Sequence, residues 1–149
     1  MPELRVASFG ELDPRVAYEM WALRVAVFVV EQRCAYLELD GRDLEPCTRH
    51  VWVAEGALLL GCLRVLREPS GEARIGRVCV RQDARGTGLA AGLVGKALVE
   101  VDSPAGTRPC VLDAQSHVAR WYERFGFAVS GPEFVEDGIP HLPMRRPPF

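Results

Sequence analysis

Long apolar runs are missing from this chain, and its first residues do not have the pattern expected of a secretory signal. Its longest apolar stretch, Val25 to Val30, falls far short of the roughly 20 residues that a membrane-spanning helix needs. The first residues are MPELRVASFGELDP, which contain acids and no apolar segment, unlike a secretory signal. No Lys/Arg-rich run occurs, and a formal charge of −2 gives no general attraction to nucleic acid. We therefore expect a cytoplasmic protein that has neither a membrane nor a nucleic acid as its partner.

Cysteine pairs with the spacing of a metal site are also absent. The chain has five cysteines, an odd number, and they are spread along its whole length without a CxxC pair. Cys62, Cys79 and Cys110 lie in apolar, strand-like runs, where a thiol behaves as a small hydrophobic group. We predict that the thiols are reduced and structural, and that the protein needs no metal.

No internal repeat, low-complexity tract or linker divides the sequence. A length of 149 residues, of which 48% are hydrophobic and 26% charged, is typical of one globular domain. We therefore predict a single domain over residues 1–149.

Helix and strand patterns alternate along the chain. Asp13 and Pro14 are typical of the N-cap and first residue of a helix, whose core face would comprise Val16, Met20, Leu23 and Val27. Arg24, Phe28 and Glu31 would share a neighbouring face of that helix, and a charged loop would follow from Gln32 to Arg49. The remaining pattern predicts strands at 48–54, 57–66, 73–80, 109–114, 127–130 and 142–146, and helices at 88–101 and 116–125. This order favours a mixed α/β or α+β sheet with helices on its faces.

The segment RVCVRQDARGTGLA, residues 77–90, is the most informative one for function. A strand there leads into a short turn and then into glycines that open a helix, which suits an anion such as a pyrophosphate. A Walker P-loop would need Gly-Lys-Ser/Thr, which is missing. Gly86 to Ala91 does fit the Rossmann pattern GxGxxG/A, but only 58 residues follow Ala91, too few for a dinucleotide sheet.

A third family fits this segment and several others. Arg85 to Ala90 matches the Q/R-x-x-G-x-G/A signature of the GNAT acetyltransferases, and Trp121 to Phe127 resembles their late aromatic helix-to-strand motif. Further blocks resemble the ElaA branch of that superfamily, namely residues 27–32, 40–41 and 136–141. The matching blocks run from about residue 20 to 144, and their order and spacing make the resemblance specific.

The resemblance implies a fold and a donor. GNAT proteins have a twisted, mostly antiparallel sheet of about seven strands whose fourth and fifth strands splay apart, flanked by helices. Acetyl-CoA would lie in that splay, with its pantetheine along the backbone of Val78, Cys79 and Val80. Its pyrophosphate would bind amides of Arg85, Gly86, Thr87, Gly88, Leu89 and Ala90, and Gln115 would contact the coenzyme.

The same resemblance implies an N-acetyltransferase in which an acceptor amine attacks the thioester directly. Tyr122 would contact the coenzyme and protonate the leaving thiolate, although its ring could also serve only to pack beside the neighbouring aromatic residues. Glu31 is the first candidate for the general base, followed by His50 and His141.

The acceptor is expected to be the primary amine of a small, cationic molecule. Carboxylates are frequent between residues 31 and 45 and again between residues 133 and 137, which wall the acceptor side in GNAT-like folds. Glu31, Asp40 and His141 are the predicted acceptor-binding residues.

Two other functions stay open. One is a coenzyme A-binding sensor or partner module without turnover, and the other is an acyltransferase related to the acylhomoserine-lactone synthases. The second rests on Arg24, Phe28, Asp40 and Asp43, which resemble the N-terminal layout of those synthases. A homodimer also stays open.

Overall fold

The computed structural model describes residues 1–102 and 108–148. Within them the chain forms eight strands and three α-helices. The strands are β1 (Glu3–Ala7), β2 (Arg49–Glu55), β3 (Leu58–Arg67), β4 (Ala73–Val80), β5 (Cys110–Gln115), β6 (Ala128–Val129), β7 (Phe134–Glu136) and β8 (Ile139–Arg146). The helices are α1 (Pro14–Arg24), α2 (Leu89–Val101) and α3 (Ala119–Glu123). None of these helices is both long and apolar enough to span a membrane.

The strands form one mixed sheet in the order β1-β2-β3-β4-β5-β8-β6, and β7 pairs with the other end of β8. Every pairing is antiparallel except that of β4 with β5, which is parallel and covers only the positions Ala73↔Cys110 and Arg74↔Val111. The two strands then separate, which confirms the predicted splay. Because β4 runs antiparallel to β3, the Rossmann interpretation is wrong.

Each face of the sheet carries its own hydrophobic core, because successive side chains of a strand point to opposite sides. Trp52, Cys62 and Cys79 pack beneath α1, together with Met20 and Val27. The other face is covered by α2 and α3, and its core includes Val51, Val53, Leu63, Val80, Leu93, Val94, Cys110 and Tyr122. Cys62, Cys79 and Cys110, predicted to act as small hydrophobic groups in apolar strands, are buried.

The first helix begins as predicted, but its geometry changes before it ends. The Asp13 side chain accepts a hydrogen bond from the backbone N–H of Arg15 at 2.8 Å, and Pro14 is the first helical residue. After Arg24 the chain widens into a π-helix over Val25–Glu31. The predicted common face of Arg24, Phe28 and Glu31 assumed regular α-helical spacing, which the π-helix does not keep.

The C-terminal part of the chain differs most from the prediction. β7 was not predicted, so the sheet has eight strands instead of about seven, and β8 begins at Ile139 instead of Leu142. Pro140 and Pro143 lie inside β8 and obscured its pattern, since proline usually argues against a central strand. Residues 116–125 form a 3₁₀ turn followed by the short helix α3 in place of one continuous helix.

Candidate active site

A cavity of about 660 Å³ opens where β4 and β5 separate. Its walls come from these two strands, the π-helix, the loop after it and the turn between β7 and β8. Most of the site residues predicted from the sequence line this one cavity: Val78, Cys79, Val80, Arg85, Ala90, Gln115, Tyr122, Glu31, Asp40 and His141. The structure thus brings the predicted donor and acceptor residues together around one space, while their roles stay predictions.

The C-terminal half of β4 offers an unpaired backbone edge to this cavity. On one side Cys79 pairs with Cys62 and Val80 pairs with Gly61 of β3. On the other side, within the described residues, no residue of β4 beyond Arg74 pairs with β5. An extended ligand could therefore bond to this edge as an added strand would.

The glycine-containing turn leads from β4 into α2. Gly86 and Gly88 have φ angles of 79° and 83°, which side chains rarely adopt. A Cβ atom built on either residue would meet nothing within 4 Å, so the positive φ, and not crowding within the protein, is what favours glycine here. Thr87 fixes the turn by donating its hydroxyl to the carbonyl of Ala84 at 2.6 Å. The first N–H groups of α2 then point out of the helix start, where an anion could bind them.

Arg85 does not point freely into solvent. Its guanidinium forms two hydrogen bonds to the Glu31 carboxylate, at 2.7 and 2.9 Å, and a third to the carbonyl of Val80 at 3.0 Å. The Arg85 hydrogen bonds lower the pKa of Glu31. A carboxylate so engaged is a weak proton acceptor, which counts against the predicted role of Glu31 as general base.

Tyr122 is only 8% exposed, and its surroundings bear on both of its predicted roles, which stay predictions. Its ring packs edge-on against Trp121, with centroids 4.9 Å apart, and against Phe127 at 6.2 Å. The residue also lines the cavity. Burial raises the pKa of Tyr122 to about 12, so the phenol keeps its proton at neutral pH and could donate it.

Two predicted residues, Gln115 and His141, lie opposite each other in the pairing of β5 with β8. Gln115 donates from Nε2 to the side-chain oxygen of Gln32 at 3.1 Å, which ties the splay to the end of the π-helix. The His141 ring stacks on Phe134 at 5.7 Å, and its Nδ1 lies 2.8 Å from the carbonyl oxygen of Ile139.

Arginines engage most of the loop carboxylates that were predicted to attract a cationic acceptor. Arg24 is 1% exposed and binds both Glu38, at 2.6 Å, and Asp43, at 2.7 Å. Arg77 also binds Glu38, at 2.9 Å, and Arg42 pairs with Glu45 at 3.0 Å. The loop charges are thus balanced by Arg24 on α1 and Arg77 on β4, which lie outside the loop, as well as by Arg42 within it.

Asp40, predicted to bind the acceptor, belongs to the same network. Its carboxylate accepts two hydrogen bonds from Arg64, at 2.7 and 2.9 Å, and these bonds hold the pKa of Asp40 well below its usual range. Arg64 also contacts Asp43 at 3.2 Å. Asp40 thus lines the cavity, but its charge is already balanced by an arginine.

Arg64 and Arg77 were not predicted as site residues, although the sequence carried a signal for both. Each stands inside an apolar strand, where an unpaired charge would be costly, so each required an acidic partner from elsewhere in the chain. Arg77 in addition has a positive φ of 54°, close to the shift in register between β3 and β4.

His50, a reserve candidate for the base, lies in the core and not at the cavity. The residue is 0% exposed, and its Nε2 lies 3.1 Å from the backbone oxygen of Asp43. Burial lowers the pKa of His50. An acceptor in the cavity therefore has no route to this ring.

Comparison with known proteins matches residues 24–147 to the family described as acetyltransferase (GNAT) domain. UPF0039 protein Rv2851c of Mycobacterium tuberculosis (strain ATCC 25618 / H37Rv) is 48% identical over 148 residues, which cover 97% of this chain and 92% of the relative. Protein ElaA of Escherichia coli (strain K12) is 36% identical over 148 residues, covering 98% of this chain and 97% of ElaA.

Solved structures agree with this result. The crystal structure of an acyl-CoA N-acyltransferase from Pseudomonas aeruginosa is similar with a TM-score of 0.92 and 37% identity, covering 98% of this chain and 99% of that one. The Escherichia coli ElaA structure gives 0.92 and 34%, with the same coverage. A CoA-dependent acyl-homoserine lactone synthase, BjaI, gives 0.80 at 17% identity over 97% of this chain and 82% of its own, a likeness of fold alone.

Proposed function

Because this chain belongs to the GNAT acetyltransferase family, we propose that it transfers an acetyl group from acetyl-CoA to the primary amine of a small acceptor. The observation that carries the proposal is the cavity at the splay, which joins an unpaired backbone edge, a turn suited to a pyrophosphate and a buried tyrosine. No one of these features is specific alone, and the proposal rests on their occurring together at one cavity.

The donor site is proposed to use backbone groups more than side chains. The edge of Val78, Cys79 and Val80 would hold the pantetheine, and the amides from Arg85 to Ala90 would hold the pyrophosphate. Acetyl-CoA supplies an activated acyl thioester. Gln115 and Tyr122, which line the same cavity, would then lie beside that thioester.

Tyr122 is proposed as the general acid. When the amine nitrogen bonds to the carbonyl carbon, the carbon–sulfur bond breaks and the sulfur leaves as a thiolate. The Tyr122 hydroxyl would give its proton to this thiolate, and its raised pKa keeps that proton available.

The acceptor is proposed to be cationic, although fewer carboxylates support this proposal than the sequence suggested. Of the acids near the cavity, Glu38, Asp40 and Asp43 are held by arginines. Glu136 at the end of β7 and Asp137 in the following turn also line the cavity, and among the described residues neither forms a salt bridge. These two carboxylates would draw an ammonium group toward the thioester.

A binding and turnover screen tests the proposal. Acetyl-CoA, longer acyl-CoAs and NADH are compared by thermal shift, and released thiol is then measured with polyamines, amino sugars, amino acids and Lys-bearing peptides. We expect a shift with acetyl-CoA and thiol release with a cationic amine. Binding without thiol release would favour the sensor function, and preference for a longer acyl-CoA would favour the synthase-like function. A thermal shift with NADH alone would contradict the proposed function and both of these alternatives.

A further inference from the structure

The proposed reaction requires a group that removes a proton from the acceptor, because an ammonium nitrogen has no electron pair with which to attack. Glu31 is engaged by the two hydrogen bonds of Arg85, and His50 is buried away from the cavity. Two histidines remain at the cavity, His117 and His141. They differ in how firmly the protein holds them.

His141 is fixed by contacts from three directions. Its backbone lies in β8 opposite Gln115, its ring stacks on Phe134 with an interplanar angle of 21°, and its Nδ1 lies 2.8 Å from the Ile139 carbonyl oxygen. For His117, which is exposed in the turn before α3, the described residues provide neither a hydrogen bond nor a ring contact that would orient it. Only His141 is pre-oriented for proton transfer.

The contact with Ile139 also determines which ring nitrogen can accept a proton. A carbonyl oxygen only accepts hydrogen bonds, so Nδ1 of His141 must be the nitrogen that carries hydrogen. In a neutral imidazole the other nitrogen, Nε2, then holds the free electron pair. Among the described residues no hydrogen bond occupies Nε2, and the residue lines the cavity.

We propose that His141, through Nε2, is the general base that deprotonates the acceptor ammonium; this inference rests on the proposed function. The proton passes to Nε2, and the freed electron pair of the amine forms the bond to the acyl carbon while the carbon–sulfur bond breaks. The new amide nitrogen still carries an extra proton, which replaces the one that Tyr122 gave to the thiolate. His141 then returns its own proton to water.

The charges around His141 suit this role. Glu136 on β7 and Asp137 in the following turn line the same cavity, where they would hold the ammonium before it loses its proton. Asp113, on the neighbouring β5, is paired with Arg74 at 3.2 Å. Across the cavity, Glu31 and Arg85 neutralise each other.

The test compares His141→Gln with Glu31→Gln and His117→Gln in kcat/KM measured from pH 6 to 10. We expect His141→Gln to lower kcat/KM at neutral pH by about 10²–10⁴-fold and to lose the acidic limb that a histidine base gives. Its residual rate should rise toward high pH, where the amine is already neutral. Glu31→Gln and His117→Gln should both keep the acidic limb. Acetyl-CoA affinity should be unchanged in His141→Gln.

Nitrogen-15 NMR of the histidine rings in the free wild-type protein supplies a readout that needs no turnover. It should show His141 with hydrogen on Nδ1 and none on Nε2 in its neutral form; the opposite tautomer would overturn the proposal. If the wild type is active and His141→Gln keeps both its kcat/KM at neutral pH and the acidic limb, this inference alone is overturned. A wild type that binds acetyl-CoA but acylates no amine would overturn the proposed function and this inference with it.

Discussion

At the scale of single residues, Tyr122 combines a packed ring with a hydroxyl group that burial keeps protonated. We expect Tyr122→Phe to lower kcat by about 10²–10⁴-fold, because the ring contacts remain and only the proton donor is lost. The Kd for acetyl-CoA should change little. Steady-state kinetics and calorimetric titration would measure both quantities.

The pH dependence of the wild type offers a check on the same residue. With a pKa of about 12, Tyr122 should cause no fall in kcat on the alkaline side up to about pH 10. Tyr18→Phe removes the same hydroxyl from an exposed tyrosine and should leave kcat unchanged. A Tyr122→Phe enzyme as fast as the wild type would reduce Tyr122 to a packing residue.

Gly88 is the residue that immediately precedes α2. Its φ of 83° is unfavourable for any side chain, so Gly88→Ala should cost roughly 1–2 kcal/mol of unfolding free energy. The new methyl group would also stand where the pyrophosphate should approach, so the thermal shift with acetyl-CoA should shrink. Denaturant titration and thermal shift measure the two effects.

A matched control lies in the same helix. Gly95 has no positive φ, and a Cβ atom there would meet nothing within 4 Å. Gly95→Ala should therefore raise helix stability by about 0.5–1 kcal/mol and leave the acetyl-CoA shift intact. If both variants bound acetyl-CoA like the wild type, the proposed pyrophosphate site would be misplaced.

At the scale of elements, the buried Arg24 ties α1 to the loop that carries Glu38 and Asp43. Arg24→Met would leave Glu38 and Asp43 without their principal partner in the core, and we expect a loss of about 3–5 kcal/mol in unfolding free energy. Arg5→Met, which breaks an exposed pair with Glu3, should change little. Denaturant unfolding would measure the unfolding free energy of both variants. If both lost equally little, water would be solvating Glu38 and Asp43 in place of Arg24.

Elements with a clear local pattern were predictable from the sequence, and elements built by distant contacts were not. The bounds of β4 were predicted residue for residue, because its apolar run ends in a polar turn on either side. The cap of α1 followed from Asp13 and Pro14. The π-helix left no such local pattern, and the prolines of β8 concealed a central strand whose partners β5, β6 and β7 supply the pairing.

In the candidate site, too, the part built from one local segment was predictable and the part built from distant contacts was not. The donor side is a contiguous segment from Val78 to Ala90, whose motif could be recognised in the sequence. On the acceptor side, the state of each carboxylate depends on arginines far away in sequence, such as Arg64 for Asp40 and Arg85 for Glu31. A local count of charges could not reveal these pairs.

At the scale of the whole molecule, the buried ion pairs make stability depend on pH. Arg64 lowers the pKa of Asp40; burial raises that of Asp43, but Arg24 and Arg64 outweigh it, so both pKa values are depressed in the folded state. Their contribution is present above the ordinary carboxyl pKa of about 4 and is lost as pH falls toward the depressed values. We therefore expect Tm to fall steeply below about pH 4.

Asp40→Asn provides the comparison for this acid effect. The variant should be less stable at pH 7 because Arg64 loses an ionised partner, and its Tm should change less between pH 5 and pH 2 than that of the wild type. Differential scanning calorimetry across that range would measure both curves. Parallel curves would mean that other carboxylates determine the acid sensitivity.

The splay also affects how fast the backbone exchanges its hydrogens with water. β4 pairs with β3 at Gly76, Cys79 and Val80, with a register shift between Gly76 and Cys79, and its other edge faces the cavity, so amides of one central strand lie in different surroundings. In deuterated water the free protein should therefore show both slow and fast amides within this strand, the slow ones bonded to β3 and the fast ones facing the cavity. Acetyl-CoA should slow the fast set alone, and the strand would then exchange as evenly as any other in the middle of a sheet.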